Sequence, residues 1–305
     1  MLICSTVTGC TPLELSSPTW LTMAALAGPL PSNAASAPTA AGCEDSTWSC
    51  AQQQRFADAE AYARGRVGAR GHLAAVFTDR STGATWHLGD TTRPGWTAST
   101  IKLAIAADLL ARDRAGTISL TPANQSDLAR MLNTSDGAAT NRLWRAYGGP
   151  AMLARFRQDF GMSTLRFVPG FTRGTYWGFV KCSTDDLATL MRHILTRTDP
   201  ADRSSLVQAM RGVAPNQQWG VWAAGATEQP GNKGGWSYEL DPQGRHWVTN
   251  TVGFAGPNER YSIAVMYQLD PSDTLADGVH TVSDLVALLF GHPTPAPVTV
   301  PNPDG

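Results

Sequence analysis

The chain has 305 residues, 42% of them apolar and 16% charged, with a formal net charge of −1. That is enough for one sizeable core or for two lobes around a cleft, and it lacks the clustered Lys and Arg of a nucleic-acid surface. No uninterrupted apolar run of about 18 residues occurs, which excludes a multi-pass membrane protein.

The chain opens on a segment unlike the rest. Trp20 to Leu30 is a short apolar run, and Asn33 to Ala41 is rich in small residues, with an A-x-A pattern at Ala35 and Ala37. That is the order of a secretory leader, although no Lys or Arg precedes Arg55 to form the usual basic start. Residues 1–43 are therefore expected to be leader-like, with at least residues 1–37 removed on export. The sequence Val7-Thr8-Gly9-Cys10 offers a lipid anchor at Cys10 as the alternative. Of the five cysteines, Cys43 and Cys50 are close enough to close a small disulfide loop in an oxidising compartment. Cys182 is left over and reads as a buried thiol. The six histidines are scattered, with no H-E-x-x-H pattern, so neither a metal nor another cofactor is expected.

From there Ala51 to Arg70 has helical character, and His72–Asp79 and Ala84–Leu88 read as strands joined through Ser81-Thr82-Gly83. Ile101 to Ala111 is largely apolar, as a buried helix would be. The stretch from about Ala123 to Gly212 reads as helices with short loops, including Ala138–Tyr147 and Thr184–Arg197. Strand character returns at Gly231–Ser237, Arg245–Phe254 and Tyr261–Leu269, and Ala276–Phe290 closes with a helix. The tail from His292 is Pro-rich and expected to be unstructured. Strands at both ends of the chain with helices between them imply an α+β fold: an antiparallel sheet flanked by helices, an inserted all-helical lobe, and a cleft between the two.

Three short signals fall in order on this frame. Ser99-Thr100-Ile101-Lys102 opens the apolar helix, where first-turn N–H groups favour negative charge and the three-residue spacing puts both side chains on one face. Ser135-Asp136-Gly137 lies between two helices, and Lys233-Gly234-Gly235 lies on a late strand. Lys102 is the only charge from Thr100 through Ala107. It is either a lysine reaching out to water or a dry amine able to take the Ser99 proton. Alone, the second signal is an ordinary helix N-cap and the third a turn; their order after Ser99 favours chemistry.

The set resembles the S-x-x-K, S-D-N and K-T-G motifs of class A β-lactamases and penicillin-binding proteins. The likeness runs from about Ala51 to Phe290, through Trp96–Thr121, Met131–Leu143 and Asn250–Gln268. It implies a β-lactamase-like serine hydrolase domain over 44–292, with an α/β lobe at 44–97 and 213–292, a helical lobe at 98–212, and a tail at 293–305. It also implies Ser99 as acylated nucleophile, Lys102 as proton acceptor, Ser135 as proton relay to the leaving group, and Lys233 as stabiliser of negative charge. The N–H groups of Ser99 and Trp236 would form the oxyanion hole, and Gly235, Ser237 and Gly137 would line the substrate site.

Departures qualify the implied activity. Gly137 stands where the family has asparagine, and Gly234 where it has threonine or serine, with Ser237 as a substitute hydroxyl. Only 36 residues separate Ser99 from Ser135, so the helical lobe is expected to be reduced. Thr164 to Ser183, where the family's deacylating glutamate would lie, contains no Asp or Glu, leaving only distant carboxylates such as Glu239 or Glu228. The expected protein is a secreted or envelope acyl-serine hydrolase, taking an amide or ester of a small molecule or cell-wall peptide, with poor lactam turnover. It is expected to be monomeric and without a membrane span. The alternative is a non-catalytic binder that keeps the fold, and a triad hydrolase is a third reading, against which stands the lack of a G-x-S-x-G motif. Trp96, Tyr176, Trp177 and Trp236 read equally as walls of a cleft or as core.

Overall fold

Ser49 begins the first helix, α1 (Cys50–Arg66), by accepting the Gln52 N–H on its hydroxyl. The computed structural model describes residues 47–168, 176–242 and 244–303, all within the unit that runs from Gly42 onward. The expected leader, with Cys4, Cys10 and Cys43, lies outside the described residues. Cys50 is disulfide-bonded, and Cys182 is a buried free thiol.

The sheet expected from the two ends of the chain is present. Its strands β1 (His72–Asp79), β2 (Thr85–Leu88), β6 (Gly231–Asp241), β7 (Gly244–Ala255) and β8 (Tyr261–Gln268) run antiparallel in the order β2-β1-β8-β7-β6. The first strand pairs with the last, from His72 opposite Gln268 to Asp79 opposite Tyr261, and β6, which carries the third motif, is an edge strand, as is β2.

Both sheet faces are apolar, so both are covered. On one, Phe77, Val265 and Tyr267 pack with Phe56 of α1 and with Val282, Leu285 and Val286 of the last helix, α8 (Leu275–Leu289). On the other, Val252, Phe254, Ala264 and Met266 share a core with the intervening helices. These are α2 (Ile101–Arg114), α3 (Pro122–Asn133), α4 (Gly137–Ala146), α5 (Ala151–Asp159), α6 (Thr184–Thr196) and α7 (Pro200–Arg211). Thr121 with Asn124, and Ser183 with Asp186, close capping boxes that fix where α3 and α6 start.

Two features depart from the sequence reading. The stretch expected to be purely helical also supplies two strands of a small sheet, β3 (Gly95–Trp96), β5 (Val180–Cys182) and β4 (Arg166–Phe167), in the order β3-β5-β4. Strands of two or three residues are too short to show periodicity. Among the described residues the tail beyond His292 has no helix or strand, yet it is packed rather than loose. Ala296 and Pro301 are buried, the Ala296 N–H donates to Asp284 Oδ1 at 2.6 Å, and the Trp236 indole N–H donates to the Asn302 carbonyl at 3.1 Å. Apolar Val298 and Val300 give the tail a face to bury, which the proline content had masked.

Candidate active site

Ser99 lies in a single 3-10 turn, Ala98–Thr100, that runs directly into α2. The turn is held from three sides. The Thr100 hydroxyl donates to the Thr97 carbonyl at 2.6 Å, the Thr97 N–H donates to the Val180 carbonyl of β5 at 3.1 Å, and Asn250 of β7 donates from its amide to the carbonyls of Trp96 and Thr97 at 2.7 and 3.2 Å. Ala98 adopts φ +44° and Ser135 φ +63°. Side chains rarely sit in this left-handed region, and the surrounding bonds must hold them there.

Lys102 cannot reach water. Every residue of α2 from Ile101 to Leu109 is buried, and Lys102 itself is 1% exposed. Its Nζ donates to the Ser135 carbonyl at 2.5 Å and contacts Ser135 Oγ at 3.2 Å, with the Trp177 ring centroid 4.5 Å away. Burial lowers its pKa to about 7, against a smaller upward pull from Asp136. Lys233 of β6 is equally buried and donates to the same Ser135 Oγ at 2.9 Å and to the Gly234 carbonyl at 2.7 Å. Burial, reinforced by the charge of Lys102, drives the Lys233 pKa well down. Asp136 fills the N-cap reading by accepting the Ala139 N–H at 2.9 Å, which leaves Ser135 turned toward the two lysines.

Strand β6 brings the third signal to the first. A Cβ on Gly235 would lie 2.6 Å from Ser99 N and 2.8 Å from Thr100 N, so this backbone approach requires glycine. Gly235→Ala is expected to push the strand off the serine turn, lowering the melting temperature and slowing Ser99 labelling by about 10²-fold, the effect of a misplacement near 1 Å. Thermal melting and intact-mass labelling check this; a native labelling rate would show that the approach is dispensable.

The remaining expected residues are placed as follows. Strand alternation puts Ser237 on the same face as Lys233 and Gly235. The Trp236 side chain points the other way, its ring 6.2 Å from Trp219. Gly137 starts α4, and its missing side chain would meet only Trp177, at 3.9 Å. Gly234 has a definite reason to be glycine: a Cβ there would sit 2.8 Å from the buried Trp219 ring.

The sequence reading missed Asn250, Trp219 and Asp241. Asp241, at the end of β6, accepts from Lys181 at 2.6 Å, from His246 Nε2 at 3.1 Å and from the Trp96 indole at 3.1 Å. It thereby ties the third-motif strand to the residues leading into Ser99. For Asn250 and Asp241 the available signal was a polar side chain inside a strand, since buried polar groups must find partners.

Among the described residues no group of His, Cys, Asp or Glu is arranged to hold a metal, and no helix is long and apolar enough to cross a membrane.

This chain is 30% identical over 227 residues to "Putative lipoprotein LppW" of Mycobacterium tuberculosis and to its Mycobacterium bovis counterpart, covering 72% of this chain and 69% of each relative. The chain belongs to the LppW family. No protein-family model matches it. Among solved structures, this chain has the fold of serine β-lactamases. A β-lactamase from Chitinophaga pinensis superposes with TM-score 0.63 at 15% identity, covering 78% of this chain and 98% of that one. One from Xanthomonas campestris gives 0.62 at 18%, covering 79% and 97%, and an ancestral class A β-lactamase gives 0.60 at 20%, covering 78% and 98%.

Proposed function

We propose that this LppW-family protein is an acyl-serine hydrolase of the cell envelope, acting on an amide or ester, with Ser99 as nucleophile. The observation that carries the reading is the meeting of Lys102 and Lys233 on one hydroxyl, Ser135 Oγ, at 3.2 and 2.9 Å, with Gly235 pressed against the Ser99 backbone. Two buried amines on one hydroxyl are expensive unless they do chemistry.

Neutral Lys102 Nζ takes the proton from Ser99 Oγ, which attacks the substrate carbonyl carbon. The oxyanion is held by the backbone N–H groups of Ser99 and Trp236. As the carbon–nitrogen or carbon–oxygen bond breaks, Ser135 Oγ–H gives its proton to the leaving atom and is reprotonated from Lys102 Nζ–H. Lys233 holds the negative charge that arrives with the substrate, and Ser237 offers a hydroxyl on the same strand face. The envelope setting rests on the name of the LppW relatives and on the leader-like residues 1–43, with Cys10 as the residue a lipid would modify.

Intact mass after incubation with a fluorophosphonate tests the enzyme reading. One adduct on Ser99, absent from Ser99→Ala, is expected. An unlabelled but folded protein would favour the binder reading, for which Gly137 and the Trp219-filled space at Gly234 already speak.

A further inference from the structure

Strand β6 is hydrogen-bonded to β7 alone, yet it carries Lys233, the Gly235 approach and the Trp236 N–H proposed for the oxyanion hole. Its adjacent glycines, Gly234 and Gly235, leave the backbone little stiffness of its own. An N–H that must stay within about 0.5 Å of its working position needs a second shell of support, and an edge strand receives none from the sheet on its outer side.

The support lies on the face of β6 turned away from the cleft. There the fully buried Trp219 ring backs Gly234 so closely that a Cβ would lie 2.8 Å from it. The Trp236 ring stands edge-on to Trp219, with 6.2 Å between centroids, and its indole N–H donates to the Asn302 carbonyl at 3.1 Å. The tail that carries Asn302 is fixed along its length. His292 Nε2 lies 2.8 Å from the Ala224 carbonyl, the Ala296 N–H donates to Asp284 Oδ1 at 2.6 Å, and Pro301 is buried beside Asn302. The other oxygen of Asp284 accepts the Tyr62 hydroxyl of α1 at 2.8 Å. Through one indole, β6 therefore rests on a segment anchored to α8 and α1.

We propose that the tail from Ala296 to Asn302 is a positioning strap: by holding the Trp236 indole, it fixes the Trp236 backbone N–H where the substrate oxyanion forms. This rests on the acyl-serine reading above. Asn302 acts through Trp236 rather than on the substrate. The indole bond is exposed and adds little to stability, so its effect belongs to rate rather than to folding.

The test measures Ser99 labelling over a range of fluorophosphonate concentrations in full-length variants. Trp236→Phe keeps a ring against Trp219 but gives up the N–H. Pro301→Asp puts a charge where it cannot stay buried unpaired, and so lifts the end of the tail. Each is expected to lower the maximal labelling rate about tenfold with the half-saturating concentration unchanged, less than the 10²–10³-fold, in round numbers, that follows outright loss of an oxyanion donor. Because both cut the same link, the double variant should be no slower than the slower single one. Tyr62→Phe, which takes a bond from Asp284 but leaves the one to Ala296, should lower the melting temperature and label at the native rate. A native labelling rate in either single variant overturns the proposal, as do losses that multiply in the double. Equal slowing in Tyr62→Phe would make the effect one of general stability and overturns it too.

Hydrogen exchange separates the strap from the acyl-serine reading, since it needs no catalysis. In Pro301→Asp the amides of Gly231–Asp241 should exchange about tenfold faster, while those of Tyr261–Gln268 keep their native protection. That result supports the strap even if Ser99 proves unreactive. Unchanged exchange across β6 refutes the strap even if Ser99 is labelled.

Discussion

Replacing Lys102 by methionine is expected to abolish acylation of Ser99 while leaving the chain folded. Methionine roughly matches the lysine stem in volume, so the core around α2 should close over it, and the burden of a buried amine disappears. What is lost is the proton acceptor, and removal of such a group slows the step by about 10²–10⁴-fold. The native protein should show its own signature of this role. With a pKa lowered to about 7 by burial, the amine is mostly charged at pH 6 and mostly neutral at pH 8, so the acylation rate should climb through that interval. The linkage to stability has a definite sign. Below about 7 the amine is protonated in both folded and unfolded chains. Between about 7 and the ordinary lysine value near 10.4, the unfolded chain holds the extra proton, so this residue makes stability rise with pH. Lys102→Met should remove the slope in rate and its own share of the slope in stability, leaving the share of the buried Lys233. Fluorophosphonate labelling and urea melts across that range read them directly, and a variant that reacts at the native rate would rule Lys102 out as the base.

A penicillin that acylates Ser99 is expected to stay there. The segment Thr164–Ser183 carries no carboxylate, and the described part of it places the Trp177 ring, not an acid, 4.5 Å from Lys102 Nζ. Trp177 is anchored by its indole N–H on Asn141 Oδ1 at 2.8 Å. Asp136, the carboxylate whose charge is felt at Lys102, is committed to the cap of α4 and lies 3.4 Å from Arg130. Without a general base for water, release should be slower by about 10²–10⁴-fold than in an enzyme that has one. Stopped-flow nitrocefin hydrolysis, with mass spectrometry of the quenched protein, should give at most one fast turnover and a persistent adduct. Rapid multiple turnover with no adduct would mean that a carboxylate outside this segment reaches the water. No penicillin adduct, together with fluorophosphonate labelling, would place the loss at lactam recognition, where Gly137 and Gly234 have given up side chains.

Much of the fold was legible because its signals are local or periodic. The apolar run after Ser99, the hairpin at Ser81–Gly83 and the strands from Gly231 onward each read correctly from neighbours in sequence. The order of the three motifs gave the residues that now meet at Ser135. What stayed hidden depends on partners far away in the chain. Asn250 holds the serine turn across the sheet, Trp219 occupies the space at Gly234, and Asp241 collects Lys181, His246 and Trp96 from three strands. A polar residue inside a strand, as at Asn250 and Asp241, says that a partner exists but not which one. Trp177 shows the limit well: the sequence fitted core and cleft alike, and the structure buries it to 7% exposed, with Lys102 Nζ over its ring.

The pairing of β1 with β8 also sets an order of events during synthesis. β1 leaves the ribosome early, but its central neighbour in the sheet comes only after everything from Arg80 to Arg260 has been made. Contacts so distant in sequence close slowly, because the intervening chain must give up its freedom first. Gly235, which presses on the Ser99 turn, belongs to the same late segment. A nascent chain therefore carries Ser99 and Lys102 well before it can assemble them with Lys233, and it stays open and threadable until its last strands emerge. Were the chain exported, as proposed, late closure would keep it competent for passage and leave the serine unarmed until arrival.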